Sequence, residues 1–145
     1  MTDPQPRLPR PADGGFWWGT ASSSTQSEGA APASDWFRWE QAGRAPRSGD
    51  GNGFATRFAQ DFELFAGLGL THHRLSIEWA RVEPVEGRHD AEAVAHYREV
   101  LAAAARVGIS PWVCLHHFTL PRWFAASGGP RPVRPAPIRW TTGGG

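Results

Sequence analysis

The feature that most constrains the fold of this chain is an alternation of helix-like and strand-like segments. In the first helix-like segment a phenylalanine recurs every three or four residues, at Phe54, Phe58, Phe62 and Phe65. This spacing is typical of the apolar stripe of an amphipathic helix. Gly67 and Gly69 are expected to end the helix, and residues 70–79 (LTHHRLSIEW) follow at once as a predicted strand.

The same arrangement occurs a second time further along the chain. Asp90 is a suitable N-cap for a second helix, and Gly108 is a suitable stop. Between them the apolar face is formed by Val94, Tyr97, Leu101 and Ala104. Residues 109–118 (ISPWVCLHHF) then begin as an apolar run and are predicted to form a buried strand.

A third strand is predicted near the beginning, within residues 15–24 (GFWWGTASSS), and a long segment without helical or strand periodicity separates it from the first helix. Strands that alternate with helices indicate an α/β fold with a parallel sheet. Because a complete (β/α)8 TIM barrel needs about 250 residues, the pattern predicts part of such a barrel, roughly its first three strands and two helices. A small open α/β domain is the alternative on the pattern alone.

The two ends of the chain differ in composition from this central region. Residues 1–14 form a proline-rich tail that is expected to be disordered, and residues 15–129 are expected to form the barrel portion. Residues 130–145 are rich in proline, arginine and glycine and cannot form a helix interior, although a helix is due there. This last segment is either a disordered tail or a sign that the natural reading frame ends near Gly129.

Charge and cysteine content exclude several classes of function. The net charge of +1 gives no reason to expect nucleic acid or an anionic membrane as a partner. No segment approaches the roughly 18 apolar residues of a membrane span, and no signal peptide is visible at the N-terminus. Cys114, the single cysteine, is read as a small core residue. We therefore expect a cytoplasmic protein.

Two pairs of adjacent histidines invite a metal-site interpretation: His72 with His73, and His116 with His117. Neighbouring residues on a strand point to opposite faces of the sheet, so neither pair can chelate an ion. The first pair also opens one strand whereas the second closes another. No metal and no other cofactor is predicted.

Polar and aromatic side chains follow the carboxyl ends of all three predicted strands, at residues 22–26, 78–79 and 116–118. Function collects at these ends in α/β sheets. Side chains such as Gln26 and His117 both donate and accept hydrogen bonds, which suits a ligand covered in hydroxyl groups. The alternative is that Gln26, His116 and His117 only satisfy backbone groups in loops.

Arg74 lies inside the second predicted strand, on the same face as Ser76 and Glu78. A buried arginine needs an anion, because an unpaired buried charge costs several kcal/mol. The partner is either a structural one such as Glu78 or a catalytic carboxylate that Arg74 keeps ionised. Glu83 is interpreted as a solvated loop acid.

Four segments, taken in order along about residues 14–129, resemble glycoside hydrolase family 1, the β-glucosidase-type (β/α)8 barrels. They are GFWWGTASSSTQSEGA, DWFRWE, HHRLSIEWARVEPVEG and WVCLHHFTLPRWF. The resemblance implies that Gln26 and His117 hydrogen-bond hydroxyls of the sugar next to the cleaved bond, that Phe118 lines this subsite, and that Arg74 lies beside the nucleophile. Phe118 stands where tryptophan is usual in the family.

The resemblance also implies retaining hydrolysis of small-molecule or oligosaccharide β-glycosides. In the family, the acid/base glutamate lies in an Asn-Glu-Pro motif after the fourth strand and the nucleophile follows the seventh. This sequence has no Asn-Glu-Pro, and Val82-Glu83-Pro84 follows the second strand. We therefore expect a part of the sugar site with neither catalytic glutamate. The alternatives are a non-catalytic remnant with weak or no sugar binding and an interaction peptide based on the Arg/Pro tail.

Overall fold

A computed structural model describes residues 16–129, so the expectations for the tails at residues 1–14 and 130–145 lie outside the described part of the chain. The described residues form a parallel sheet of three strands in the order β1-β2-β3. The strands are β1 (Gly19–Ala21), β2 (His72–Ser76) and β3 (Ser110–Cys114). The predicted α/β class and the predicted order of strands and long helices are confirmed.

Within residues 16–129 the sheet is accompanied by six helices: α1 (Ser24–Ser27), α2 (Asp35–Gln41), α3 (Phe54–Gly67), α4 (Trp79–Val82), α5 (Ala91–Arg106) and α6 (Arg122–Ala126). The two long helices, α3 and α5, are those that the periodicity predicts. The segment between β1 and α3, predicted as irregular, contains α1 and α2. No helix within residues 16–129 has the length and apolarity that crossing a membrane requires.

The core lies between the long helices and one face of the sheet. Its buried members come from α3, β2, α5 and the residue before β3, namely Phe54, Phe62, Leu75, Val100, Ala103, Ala104 and Ile109. Phe58 and Phe65 are partly buried against this cluster, so the predicted phenylalanine stripe does face the core. At the start of α5, the Asp90 carboxylate accepts hydrogen bonds from the backbone N–H groups of Glu92 and Ala93, as expected of an N-cap.

Strand β3 lies at an edge of the sheet and is open to solvent on both faces, and this corrects two expectations. Trp112, in register with Arg74, is 37% exposed, and Val113, in register with the buried Leu75, is 40% exposed. Leu115 just beyond the strand is 75% exposed. Cys114 is only half-buried and is therefore not a core residue. An apolar run predicts burial only where another layer covers it, and within residues 16–129 the long helices cover Leu75 of β2 but leave Val113 of β3 partly open on the same face.

The adjacent histidines at the start of β2 point to opposite faces, as predicted. The imidazole of His73 is 2% exposed and packs among Phe54, Phe62 and Phe65. Its Nδ1 lies 2.6 Å from the Thr20 hydroxyl. Burial, together with the nearby Arg74 charge, lowers the pKa of His73 from 6.5 to about 4. The core therefore contains a neutral imidazole at neutral pH.

A buried hydrogen-bond network, which we call the Glu78 network, joins the loops that follow the three strands. It comprises Glu78, Ser24, Thr119, Tyr97, Glu28 and Arg81. The Glu78 carboxylate is 1% exposed and accepts hydrogen bonds from the hydroxyls of Ser24 and Thr119, each at 2.7 Å. The backbone N–H of Glu78 donates to the Tyr97 hydroxyl at 3.0 Å, and that hydroxyl donates to Glu28 at 2.8 Å.

Glu28 completes the network with a cation. Its Oε2 lies 3.4 Å from Nε of Arg81, whose Nη2 donates to the backbone oxygens of Gly29 and Ala30. Burial raises the pKa of Glu28, while the hydrogen bond from Tyr97 and the Arg81 charge lower it. Burial raises the pKa of Tyr97 far above 10, so its hydroxyl keeps its proton. The Tyr97 hydroxyl is therefore both the acceptor for the N–H of Glu78 and a donor to Glu28.

We expect stability to fall as the pH decreases through the range from 6.5 to about 4, because the unfolded chain then binds a proton at His73 that the folded chain excludes. The lowered pKa corresponds to at most about 3 kcal/mol of unfolding free energy. Urea midpoints of the chain and of His73→Gln, measured at pH 7 and pH 4.5, test this. The His73→Gln chain should lose less stability on acidification than the unchanged chain, whereas His116→Gln, at an exposed position, should not differ from it. Equal losses for all three chains would contradict the prediction.

Replacing Tyr97 by phenylalanine should destabilise the fold by about 1–3 kcal/mol, because it leaves the buried N–H of Glu78 without an acceptor and removes a donor from Glu28. Urea unfolding measures the change. Thr56→Ala is a matched control, since it removes one hydroxyl from an exposed position on α3. It should shift stability by less than about 0.5 kcal/mol. Equal effects of the two substitutions would show that the network contributes nothing particular.

Candidate functional site

The candidate site lies at the carboxyl ends of the strands, where the loops after β1 and β3 meet. The loop after β1 leads directly into α1, which carries Gln26. The Gln26 side chain is exposed, and its Oε1 accepts a hydrogen bond from the Ser23 hydroxyl at 2.7 Å. Ser23 itself is buried, so this contact orients an amide that remains open to a ligand.

His117 lies on the loop after β3 and is held by the last residue of β2. Its Nδ1 lies 2.7 Å from the hydroxyl of Ser76, which is buried. The imidazole is half-buried, with its ring centroid 5.3 Å from that of Phe118. The predicted alternative, that His117 satisfies a backbone group, does not describe this contact, because the partner is a side chain.

Phe118 contributes an exposed aromatic surface to the same region. Its backbone has a φ of +58°, in the left-handed region. The ring lies edge-on to Trp36 of α2, with 5.7 Å between the centroids. Trp36 in turn stacks with Trp39 at 6.4 Å. These rings form a continuous aromatic wall from the loop after β3 to the segment after β1.

Gln26 and Phe118 line one cavity of about 590 Å³. Trp36 also contributes to its wall, as do Thr25, Pro46, Arg47, Ser48 and Gly51. The structure thus brings together Gln26 and Phe118 and places His117 against Phe118. An amide, hydroxyls and aromatic faces around one opening suit a ligand that has both polar edges and an apolar ring face.

Arg74 lies apart from this cavity and is exposed, which contradicts its predicted burial. It shares a face of β2 with Ser76, two residues and therefore roughly 7 Å away along the strand. Within residues 16–129 no carboxylate lies in ion-pairing range of Arg74, so the predicted Arg74–Glu78 pair is not formed. Glu78 is bound by Ser24 and Thr119 instead.

The acids near the strand ends are occupied by structural contacts. Glu28 and Glu78 belong to the Glu78 network described above. The Asp35 carboxylate accepts from the backbone N–H groups of Trp36 and Leu120, and the Glu40 carboxylate accepts from the Ser48 hydroxyl. No carboxylate is among the residues that line the cavity shared by Gln26 and Phe118.

Glu83 is more than a solvated loop acid. Its carboxylate accepts hydrogen bonds from the Trp79 indole at 2.7 Å and from the backbone N–H of Gly87 at 2.8 Å, and both bonds lower its pKa. Its backbone oxygen accepts from the Trp123 indole at 2.9 Å. Glu83 therefore connects α4 to α6 rather than facing the cavity.

Of the residues that line the cavity, only Gln26 and Phe118 belong to the predicted sugar contacts, and the sequence analysis assigned no role to Trp36 or Arg47. Ser34 could have revealed Trp36, because a serine followed by an aspartate is a typical helix start. The Ser34 hydroxyl indeed accepts from the N–H of Phe37. Within residues 16–129 no three His, Cys, Asp or Glu side chains lie close enough together to hold a metal ion.

Comparisons with known proteins agree with this architecture. Coniferin β-glucosidase of Pinus contorta is 36% identical over 118 residues, which are 74% of this chain and 23% of the relative. The solved structure of a β-glucosidase designated 1317 has 46% identity and a TM-score of 0.75, covering 79% of this chain and 29% of that one. A β-glycosidase from Pyrococcus horikoshii has 42% identity and a TM-score of 0.74, covering 79% and 27% respectively.

The family comparison is broader than these individual matches. The chain spans about a quarter of the length of the curated relatives it matches. The sequence profile described as Glycosyl hydrolase family 1 matches residues 9–132, which include every strand and helix of the described structure. The chain therefore belongs to glycosyl hydrolase family 1, and its sheet is a portion of that family's α/β barrel.

Proposed function

We propose that this chain supplies part of the sugar-binding site of a β-glucosidase-type enzyme that hydrolyses β-glycosides with retention of configuration. The single observation that carries the proposal is the cavity that Gln26 and Phe118 line together, with His117 packed against Phe118. In this proposal Gln26 and His117 hydrogen-bond the hydroxyls of the sugar. Phe118 provides an apolar face against which the sugar ring lies.

The hydrogen-bonding state of the two polar residues supports these roles. Oε1 of Gln26 accepts from Ser23, which leaves the amide N–H groups directed to a ligand. Nδ1 of His117 is engaged by Ser76, which leaves Nε2 for a sugar hydroxyl. A sugar hydroxyl both donates and accepts hydrogen bonds, so it can bond to the Gln26 amide or to Nε2 of His117. The two residues together would therefore recognise the positions of neighbouring hydroxyls on one sugar.

We further propose that this chain binds the sugar without carrying the catalytic pair. Retaining hydrolysis requires one carboxyl group that protonates the leaving oxygen and a second that attacks the anomeric carbon, about 5–5.5 Å apart. The acids near the strand ends are occupied by the contacts described above and do not line the cavity. Arg74 is exposed on the sheet face that it shares with Ser76, and it would support a nucleophile contributed by a later segment of a whole enzyme.

Binding of phenyl β-glucoside to the chain tests the sugar site. Gln26→Ala and His117→Ala should each weaken binding about fivefold to tenfold, the effect of one lost hydrogen bond. Gln41 and His116 are exposed and do not line the cavity, so Gln41→Ala and His116→Ala are matched controls that should leave the affinity unchanged. Titration followed by NMR measures all five proteins. Equal affinities across the set would refute the assignment of Gln26 and His117.

The 145-residue chain should not hydrolyse an aryl β-glucoside above the background rate, because the cavity has no carboxylate to transfer a proton. Release of the aryl alcohol, measured beside a protein-free blank, checks this. The informative control is Gln26→Ala. Turnover that disappears in Gln26→Ala would show that the cavity is catalytic and that one of the acids assigned here to structure performs the chemistry.

A further inference from the structure

We propose that Arg47 makes this cavity selective for β-glycosides that carry an anionic substituent, a carboxylate or a phosphate. The inference rests on the proposed function, since it names the class of glycoside that the same cavity prefers. Arg47 lines the cavity together with Gln26 and Phe118. It is the one charged residue in that lining, so the wall carries a single positive charge and no negative one.

The charge of Arg47 is not neutralised by the protein around it. Among residues 16–129 no carboxylate lies within 4.0 Å of its guanidinium group. Glu40 lines the neighbouring cavity with Arg47, but its carboxylate accepts from the Ser48 hydroxyl. Arg44, three residues earlier, lies instead over the Trp39 ring at 5.9 Å and does not line this cavity. Arg47 is therefore the arginine of this loop that is available to a ligand.

The backbone just after Arg47 packs against α1 and the residues that follow it. Gly49 O accepts a hydrogen bond from the N–H of Ala30 at 2.8 Å. Gly51 approaches so closely that a Cβ placed on it would lie 2.7 Å from the backbone of both Ser27 and Gly29. Contacts this short require glycine and hold the two segments in one register. The backbone that follows Arg47 is thus held in one register against the segment that carries Gln26.

A second polar group in the wall fits the same ligand. Thr25 is 4% exposed and lines the cavity, and its Oγ1 has no hydrogen-bond partner among the described residues. A buried hydroxyl without a partner is costly, and a ligand oxygen that accepts its proton removes that cost. The guanidinium of Arg47 supplies charge-assisted donors to an anion, and Thr25 is a further polar residue of the same wall.

The anion could be on either part of the glycoside, because the cavity extends from the proposed sugar contacts to the loop of Arg47. Three probes distinguish these sources: phenyl β-glucoside is neutral, 4-carboxyphenyl β-glucoside has its charge on the aglycone, and phenyl β-glucuronide has it on the sugar. We expect one of the two anions to bind the 145-residue chain about tenfold more tightly than the neutral probe. The preferred anion identifies which end of the glycoside faces Arg47.

Substitution of Arg47 provides the decisive comparison. Arg47→Gln should abolish the preference, so that the anionic and neutral probes bind this variant with similar affinities, whereas Arg47→Lys should retain part of the preference. Arg44→Gln is the matched control and should behave as the unsubstituted chain. The preference should also decrease as salt rises from about 0.05 to 0.5 M, since screening weakens an exposed charge.

Two results would overturn the inference while leaving the proposed function intact. In the first, neither anion binds more tightly than the neutral probe, and binding of the neutral probe is still weakened by Gln26→Ala. In the second, the preference for an anion persists in Arg47→Gln. Failure of all three glycosides to bind would overturn the proposed function and this inference together. The neutral probe therefore separates the two failures.

Discussion

The arrangement of the loops depends on the hydrogen bonds that the carboxylate of Glu78 accepts. A buried carboxylate is tolerated only when donors surround it, and its donors here come from different parts of the chain. Ser24 precedes Gln26 by two residues, and Thr119 follows Phe118 directly. One buried carboxyl group therefore holds the two loops of the cavity at the end of β2. If either hydroxyl is lost, this buried group keeps fewer hydrogen-bond partners, and the corresponding loop loses its contact with the end of β2.

A second set of contacts joins the same loops further from the sheet. Asp35 makes two hydrogen bonds with the backbone of Leu120. The N–H of Asp35 donates to Leu120 O, and the Asp35 carboxylate accepts from the N–H of Leu120. Ser34 and Pro121 pair beside it. Since α2 begins at Asp35, these bonds also position Trp36 against Phe118. The aromatic wall is thus a consequence of backbone pairing and does not depend on ring contacts alone.

The parts of this structure that could be predicted from sequence are those that a local pattern encodes. The phenylalanine stripe of α3 and the Asp90 cap of α5 each report a preference contained within a few turns of chain. Exposure of Arg74 and of β3 could not be predicted, because burial depends on which layer covers a strand. The Glu78 network was also missed. The two hydroxyl donors to the Glu78 carboxylate, Thr119 and Ser24, are 41 and 54 residues away from it in sequence, and no periodicity links them.

Phe118 is the one non-glycine residue with a positive φ in the described part of the chain. Side chains branched at Cβ are strongly disfavoured in that conformation, whereas an aromatic side chain, whose Cβ is a simple methylene, is tolerated at modest cost. This backbone conformation restricts which side chains the position accepts. Exchange of phenylalanine for tryptophan is compatible with it, whereas valine or isoleucine is not. Natural drift and directed evolution at this wall are therefore expected to move among aromatic and other unbranched side chains.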